Sequence, residues 1–93
     1  MNQTEPKANA YPTVVDEFTQ LDFSLPDVST VDIQLVDING KIISVFTKGE
    51  KMQRGFHSMQ LSIPSGSLEA GIYLLQLRAG AYGKSFKLII ANK

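Results

Sequence analysis

The pattern of apolar and polar residues along the chain predicts a series of short β-strands. The most apolar stretch is 72–77, which follows Gly71 and contains a single polar residue, Gln76. A strand with so little polar content on either face must be covered, at least in part, on both sides. We therefore expect this segment to be a central strand, around which the rest of the chain packs.

The ring of Tyr73 lies on the more apolar face of this predicted strand, together with Leu75 and Leu77. Because the ring lies on an apolar face, the hydroxyl group needs a hydrogen-bond partner. The strand starts just after a loop, so a backbone group a few residues upstream can supply it. This arrangement is typical of the tyrosine corner of sandwich folds. The opposite face of the strand carries Ile72 and Leu74.

Other segments alternate in the same way and are separated by turn residues. They cover residues 18–25, 31–35, 41–48, 56–63 and 84–91. No segment shows a helical period of useful length. Short alternating segments with turn signals about every 8–12 residues are typical of an antiparallel β-sandwich. The predicted fold class is therefore all-β.

The motif Asp37-Ile38-Asn39-Gly40-Lys41 lies between two of these segments and predicts a β-hairpin. Asn-Gly readily supplies the two positive-φ residues of a tight type I′ turn. The carboxylate of Asp37 precedes this turn, and we expect it to accept hydrogen bonds from the turn amides.

Length and composition indicate one domain, residues 11–93, preceded by a leader, residues 1–10. The leader is polar, has no hydrophobic period and is predicted to be a flexible linker. Tyr11-Pro12 then starts the domain, because Pro12 favours an extended backbone and cannot donate to a central ladder. The leader has no apolar signal-peptide core. We expect either a cytoplasmic protein or a piece of a longer secreted chain.

The charges are segregated along the sequence, although the formal net charge is zero. Up to Gly40 there are seven acidic residues and one lysine, a balance of −6. From Lys41 onward there are eight basic and two acidic residues, a balance of +6. Either the early strands lie beside the late ones and the charges pair across the sheet, or a basic face docks on an acidic partner. No basic cluster is interleaved with aromatic residues, so nucleic acid is not the expected partner.

The residues that could act in catalysis or metal binding lack the partner residues that such sites need. His57 is the only histidine, and with no cysteine in the chain no second residue completes a usual zinc site or catalytic pair. Asp16 and Glu17 are adjacent, so a strand would point them to opposite faces. Asp32 and Asp37 lack the dense oxygen ligands of a calcium loop. We expect a partly buried structural histidine, no enzyme activity, no cofactor and no metal.

Function is then expected to lie in surface recognition. The apolar residues that remain on outer strand faces are Ile43, Ile72, Leu74 and Ile89. They form either an exposed patch for a partner or a surface that sheet twist and loops cover. No apolar run approaches the roughly 20 residues of a membrane-spanning helix.

The order and spacing of several short motifs resemble the type A C-terminal sorting domain of proteins that Bacteroidota secrete through the type IX (Por) system. In chain order, the matching pieces are Tyr11-Pro12, Phe23-Ser24-Leu25-Pro26, Asp37-Ile38-Asn39-Gly40-Lys41, Gly55-x-His57, Ala70-Gly71-Ile72-Tyr73 and Lys84-x-x-Lys87-Leu88-Ile89-Ile90 followed by Lys93. The resemblance covers nearly everything from Asn9 onward. The sequence departs from it at Thr13-Val14, where that family commonly has Asn-Pro.

The resemblance implies an immunoglobulin-like sandwich of about seven short strands that serves as an address and not as a catalyst. In that family the precursor enters the periplasm, and this domain directs the attached cargo through an outer-membrane translocon and its shuttle. A sortase-like protease at the cell surface then cuts ahead of the domain, and the cargo is commonly joined to an anionic lipopolysaccharide. Carried onto this sequence, the cut lies in or before residues 1–10.

The same resemblance suggests which residues the export machinery recognises. They are Asp37, Asn39, Gly40, Lys41, Gly71, Tyr73, Lys84, Lys87 and Lys93. We expect the last strand and the outer apolar face of the strand after Gly71 to form the docking surface, because an edge strand can add to a partner's sheet.

Two other functions fit the composition. An immunoglobulin-like or fibronectin-like accessory module of a secreted enzyme would bind polysaccharide or act as a spacer. Such a site normally needs exposed aromatic rings, and the chain has no tryptophan, with Tyr11 and Tyr82 the obvious exposed rings. A scaffold module of a filament is the second alternative, and it predicts self-association.

Overall fold

The computed structural model describes residues 7–91, and this part of the chain is almost entirely β. The strands are β1 Lys7–Tyr11, β2 Val14–Val15, β3 Phe18–Leu25, β4 Ser29–Asp37, β5 Ile42–Met52, β6 Gly55–Ser62, β7 Gly71–Ala79 and β8 Tyr82–Ile90. A single 3-10 turn, Ser65–Ser67, precedes β7. The predicted all-β class is confirmed.

The strands form two sheets that pack face to face as an immunoglobulin-like sandwich. One sheet has the order β1-β3-β6, and the other has the order β2-β8-β7-β4-β5. All neighbouring pairs are antiparallel except β2 and β8, which are parallel. The motif Thr13-Val14 leads into this parallel pair, and the Ile89 N–H donates to the Thr13 carbonyl oxygen at 2.7 Å.

The core lies between the two sheets and is built by every second residue of the central strands. Strand β7 lies between β8 and β4, which confirms the predicted central strand. Its residues Leu75 and Leu77 point inward and are buried, as are Leu21 and Phe23 of β3. Burial of each such side chain contributes about 1.5–3 kcal/mol relative to exposure. This two-residue period is the reason that the alternation predicted the inward residues correctly.

The amino-terminal boundary differs from the prediction. Strand β1 begins at Lys7 and pairs with β3 along its whole length, so residues 7–10 of the predicted leader belong to the sheet. Its inward residues, Ala8 and Ala10, are small and produce a weak hydrophobic pattern, which explains why the sequence did not indicate a strand. Strands β1 and β2 bring the described strands to eight, against about seven expected. Residues 1–6 of the leader lie outside the described residues.

The hairpin between β4 and β5 is confirmed, but its predicted type I′ turn is wrong. Among the described residues only glycines have positive φ, so Asn39 does not adopt the required conformation, whereas Gly40 does, with φ of 86°. The Gly40 N–H donates to the Asp37 carbonyl oxygen at 3.0 Å, and the Asp37 N–H donates to the Lys41 carbonyl oxygen at 2.9 Å. This is a three-residue loop in which a turn is followed by a glycine bulge.

Strand β5 is longer and less regular than expected. It continues to Met52, four residues beyond the predicted segment 41–48. The β4–β5 register shifts at three places, one of them between Leu35 and Val36. With this register Ile42 pairs with Val36 and lies on the outer face, while Ile43 packs against the core. The expectation that Ile43 lies on the outer face is therefore wrong.

Candidate recognition surface

The carboxylate of Asp37 organises the hairpin, as predicted. Its Oδ1 atom accepts hydrogen bonds from the N–H groups of Asn39 at 2.8 Å and Lys41 at 2.9 Å. Both donors belong to the loop, so the Asp37 side chain replaces the backbone partners that a tighter turn would supply. Its role is to hold the loop in one shape.

Replacing Asp37 by alanine is expected to destabilise the domain by about 1–2 kcal/mol, because two loop amides lose an ionised acceptor. Asp37→Asn keeps a side-chain oxygen at the same place, and its loss of stability should be less than about half of that for the alanine variant. The free energy of unfolding in urea, measured for both variants, tests the assignment. Equal losses for alanine and asparagine would contradict it.

The start of β7 lies beside this hairpin. The Tyr73 hydroxyl donates to the Glu69 carbonyl oxygen at 2.8 Å, which confirms the predicted upstream backbone partner. Gly71 has φ of 154°, a conformation that L residues rarely adopt, and it leads the chain into β7. In the sheet Asp37 is paired with Tyr73, and Gly71 is paired with Ile90. The hairpin, the start of β7 and the end of β8 therefore meet at one end of the sandwich.

The predicted lysines are spread over the molecule. Lys84 lies six positions before Ile90 on β8, roughly 20 Å along a strand. Its Nζ atom donates to the Ala8 carbonyl oxygen at 3.3 Å and lies 5.1 Å from the centroid of the Phe86 ring, so it joins the two sheets at one side. Lys87 is exposed on the outer face, and Lys93 lies outside the described residues. The structure thus brings the hairpin, Gly71 and Tyr73 together, but not Lys84.

An exposed apolar band crosses the outer face of the five-stranded sheet at this end. The band consists of Val14 of β2, Ile89 of β8, Ile72 and Leu74 of β7, Val36 of β4 and Ile42 of β5. Ile72 and Ile89 are cross-strand partners and are 45% and 40% exposed, while Ile42 is 52% exposed. Val36 is only 2% exposed although it lies outside the main core. The exposed side chains of the band therefore come from β2, β8, β7 and β5, and an exposed apolar patch of this kind is typical of a protein-binding site.

The prediction found three members of this outer apolar band, namely Ile72, Leu74 and Ile89. It missed Ile42, Val36 and Val14. The adjacent pair Ile42-Ile43 carries no alternation that could say which residue points outward. Val14 joins the band only through the parallel β2–β8 pair, for which the sequence has no signal.

One edge of β8 is open beside the band. Strand β2 pairs with β8 only through Ile89 and Ile90. Within residues 7–91 the rest of that edge, 82–88, has no strand partner. Open backbone N–H and C=O groups can accept an additional strand.

A polar network on the outer face of the other sheet was not predicted. The hydroxyls of Tyr11 and Ser58 each donate to the carboxylate of Asp22 at 2.5 Å, and Gln20 donates to the Ser58 hydroxyl at 2.5 Å. The bond from Ser58, and then that from Tyr11, lower the pKa of Asp22, while the bond to Asp22 raises the pKa of Tyr11. A carboxyl whose pKa is lowered by folding stabilises the folded state when the pH is above the pKa of the unfolded chain. This stabilisation is lost as the pH falls through the pKa of the folded state. The network ties β1, β3 and β6 together.

The other candidate residues have structural roles or remain apart. The His57 ring stacks on Phe23 with centroids 5.2 Å apart, and its Nε2 atom donates to the Gln53 carbonyl oxygen at 2.7 Å. His57 is half-buried, as expected for a structural histidine. Within residues 7–91 no three histidine, acidic or cysteine side chains are grouped as a metal site would require. The same residues contain no helix that is long and apolar enough to cross a membrane.

The fold and the outer apolar band define the chain as an immunoglobulin-like β-sandwich domain whose candidate site is an exposed surface. A family model described as a secretion system C-terminal sorting domain matches residues 9–91. The chain therefore belongs to the family of type IX secretion C-terminal sorting domains, as the resemblance suggested. A search of the curated proteins finds no match to this chain.

Membership of this family supports three coarse conclusions. The domain is a C-terminal sorting signal of the type IX system. The protein that carries it is exported to the cell surface or the extracellular space. Sorting domains of this kind are in general non-catalytic.

Proposed function

We propose that this domain directs an attached cargo protein through the type IX outer-membrane translocon and is then removed by a sortase-like protease at the cell surface. On this route the precursor passes through the periplasm. The observation that carries the proposal is the outer apolar band, which is exposed beside the ordered hairpin and the start of β7.

The outer apolar band and the open edge of β8 together provide the docking surface for the translocon and its shuttle. The apolar side chains supply binding energy, at about 25 cal/mol for each Å² removed from water. The backbone groups of 82–88 provide orientation, because an added strand fixes register and direction. Lys87 lies opposite Leu74 on the same face and places a positive charge next to the apolar side chains. Lys93 completes the set of proposed recognition residues at the end of the chain.

The proposed cleavage lies before Lys7. A protease binds its substrate as an extended, unpaired segment, and all residues of β1 are paired with β3. A cut within 7–11 would require β1 to leave the sheet. A cut among residues 1–6 releases the cargo and leaves the sandwich complete.

The test is a fusion of a Sec signal peptide, a fluorescent protein and residues 1–93. The fusion is produced in a type IX-competent bacterium and in a strain that lacks the translocon. We expect surface or extracellular fluorescence only in the competent strain, with the domain removed. Retention in the periplasm of both strains would contradict the proposed role. Export without trimming would contradict the cleavage step alone.

Deletion of 84–93 is not a clean version of this test. It removes most of β8, which pairs with β7 along nine residues and supplies the buried side chains of Leu88 and Ile90 to the core. Loss of export would then report unfolding. Substitutions of exposed residues avoid this difficulty.

A polysaccharide-binding accessory module is the second candidate function, and one observation favours it. The three-stranded sheet exposes more rings than the sequence suggested, since Tyr11, Phe18 and Phe56 are all exposed large residues. Exposed rings and neighbouring amides such as Gln20 can stack on and hydrogen-bond to sugars. If the fusion stays in the periplasm of both strains, titration of the domain with oligosaccharides tests this alternative.

A further inference from the structure

A groove of about 380 Å³ crosses the outer face of the five-stranded sheet, next to the outer apolar band. Strands β5, β4, β7 and β8 all contribute to it. Its exposed aliphatic residues, Ile42 and Val45, come from β5 and are each 52% exposed. The groove is therefore an open channel, continuous with the surface already proposed to dock.

The charges of the groove are predominantly positive. Its lining contains Lys48 and Arg78 but a single acidic residue, Asp32, while Nζ of Lys84, which also lines it, is bound to the Ala8 carbonyl oxygen of the other sheet. Oδ1 of Asp32 already accepts the Gly49 N–H at 2.6 Å, and Asp32 is paired with Arg78 in the sheet. Arg78 is exposed. The groove thus favours an anionic ligand.

The floor of the groove offers hydrogen bonds suited to a peptide group. Gln34 and Gln76 are cross-strand partners, and Nε2 of Gln34 donates to Oε1 of Gln76 at 2.8 Å. This bond leaves the Gln76 amide nitrogen as a donor and the Gln34 oxygen as an acceptor. A peptide group needs one of each.

The lining also distinguishes among anionic ligands. It contains no aromatic residue, so it lacks the stacking surface on which sugars commonly bind. Aliphatic walls instead fit aliphatic side chains. We propose that this groove binds an extended, acidic and aliphatic segment of a partner protein, with its carboxylates on Arg78 and Lys48 and its aliphatic side chains against Ile42 and Val45. This inference rests on the proposed sorting function and names the chemistry that the export machinery must present.

The first experiment is a nuclear magnetic resonance titration of the whole domain with a capped octapeptide, Glu-Ser-Val-Ser repeated twice. In an extended chain this repeat places glutamate and valine on the same face. We expect shifts of the backbone amides of Gln34, Val45 and Gln76. The same peptide with glutamine in place of glutamate should bind about tenfold more weakly, which corresponds to about 1.4 kcal/mol.

Two arginine substitutions make a matched pair. Arg78→Gln should weaken binding of the acidic peptide about tenfold, because a guanidinium–carboxylate contact is lost. Arg54→Gln removes the same charge from an exposed position outside the groove and should leave binding unchanged within about twofold. Equal effects of the two substitutions, or equal binding of the acidic and neutral peptides, would overturn the inference.

Other occupants would also be recognised in this experiment. If an acidic oligosaccharide shifts the amide signals of the groove and the peptide does not, the ligand of the groove is a glycan. Shifts that grow with protein concentration in the absence of peptide would identify a second copy of the domain instead. Either result overturns the peptide assignment.

The export fusion separates this inference from the proposed function. If the wild-type fusion is exported and Arg78→Gln lowers surface fluorescence several-fold, the sorting function and the groove inference are both supported. If Arg78→Gln is exported as well as the wild type, the groove inference fails and the sorting function remains. If the wild-type fusion is not exported, the sorting function fails whatever the peptide titration shows.

Discussion

Replacing Ile72 and Ile89 together by serine is expected to lower surface export of the fluorescent fusion by about ten- to thirtyfold. The two side chains are cross-strand partners in the middle of the outer apolar band, and both are nearly half exposed. Their exposed halves can each bury apolar area worth about 1 kcal/mol against a partner. Losing both contacts therefore costs about 2 kcal/mol of binding, which sets the expected loss of export.

The control for this double variant is Val28→Ser combined with Phe56→Ser. These residues are also exposed and apolar, but they lie outside the band. Urea unfolding of both double variants shows whether either has lost its fold. Normal export of the Ile72 and Ile89 variant, or an equal loss in the control, would contradict the proposed docking surface.

Replacing Leu75 by alanine is expected to destabilise the domain by about 3 kcal/mol. Leu75 is fully buried, lies in the central strand β7 and belongs to the hydrophobic core. The substitution removes apolar burial and leaves a cavity that the close-packed surroundings fill only in part. Since small domains have a total stability of about 5–15 kcal/mol, this loss is a large share.

Leu74→Ala is the matched control, because it deletes the same atoms from the neighbouring residue on the outer face. Leu74 is only half-buried, so we expect a loss below about half of that for Leu75. Both losses are measured as free energies of unfolding in urea. An unchanged dependence of this free energy on urea concentration shows that the variants unfold in the same way as the wild type. A larger loss at position 74 than at position 75 would contradict the assignment of the core face.

Much of the fold could be predicted because alternation reports directly which residues of a strand face the core. The inward residues of β7 followed from this period alone. The hydroxyl partner of Tyr73 and the loop amides bound by Asp37 were also predictable, because each of these three bonds joins residues no more than four positions apart. Local bonds depend on local sequence.

The errors arose where local sequence permits more than one structure. Asn39-Gly40 is compatible with a two-residue and a three-residue hairpin loop, and the register of β4 and β5 selects the longer one. The same register decides that Ile42 and not Ile43 lies outside. Strand β1 was missed because Ala8 and Ala10 bury little apolar surface and leave no clear period.

The sequence by itself determined the all-β class, the central strand and its core face, the Asp37 loop contacts and the family. It could do so because side-chain alternation and short-range hydrogen bonds are properties of contiguous residues. Only the tertiary structure decided the parallel β2–β8 pair, the extension of the outer apolar band to Val14, Val36 and Ile42, and the groove around Arg78. Each of these joins residues from strands distant in the chain, and pairing register, which no single segment contains, places them side by side.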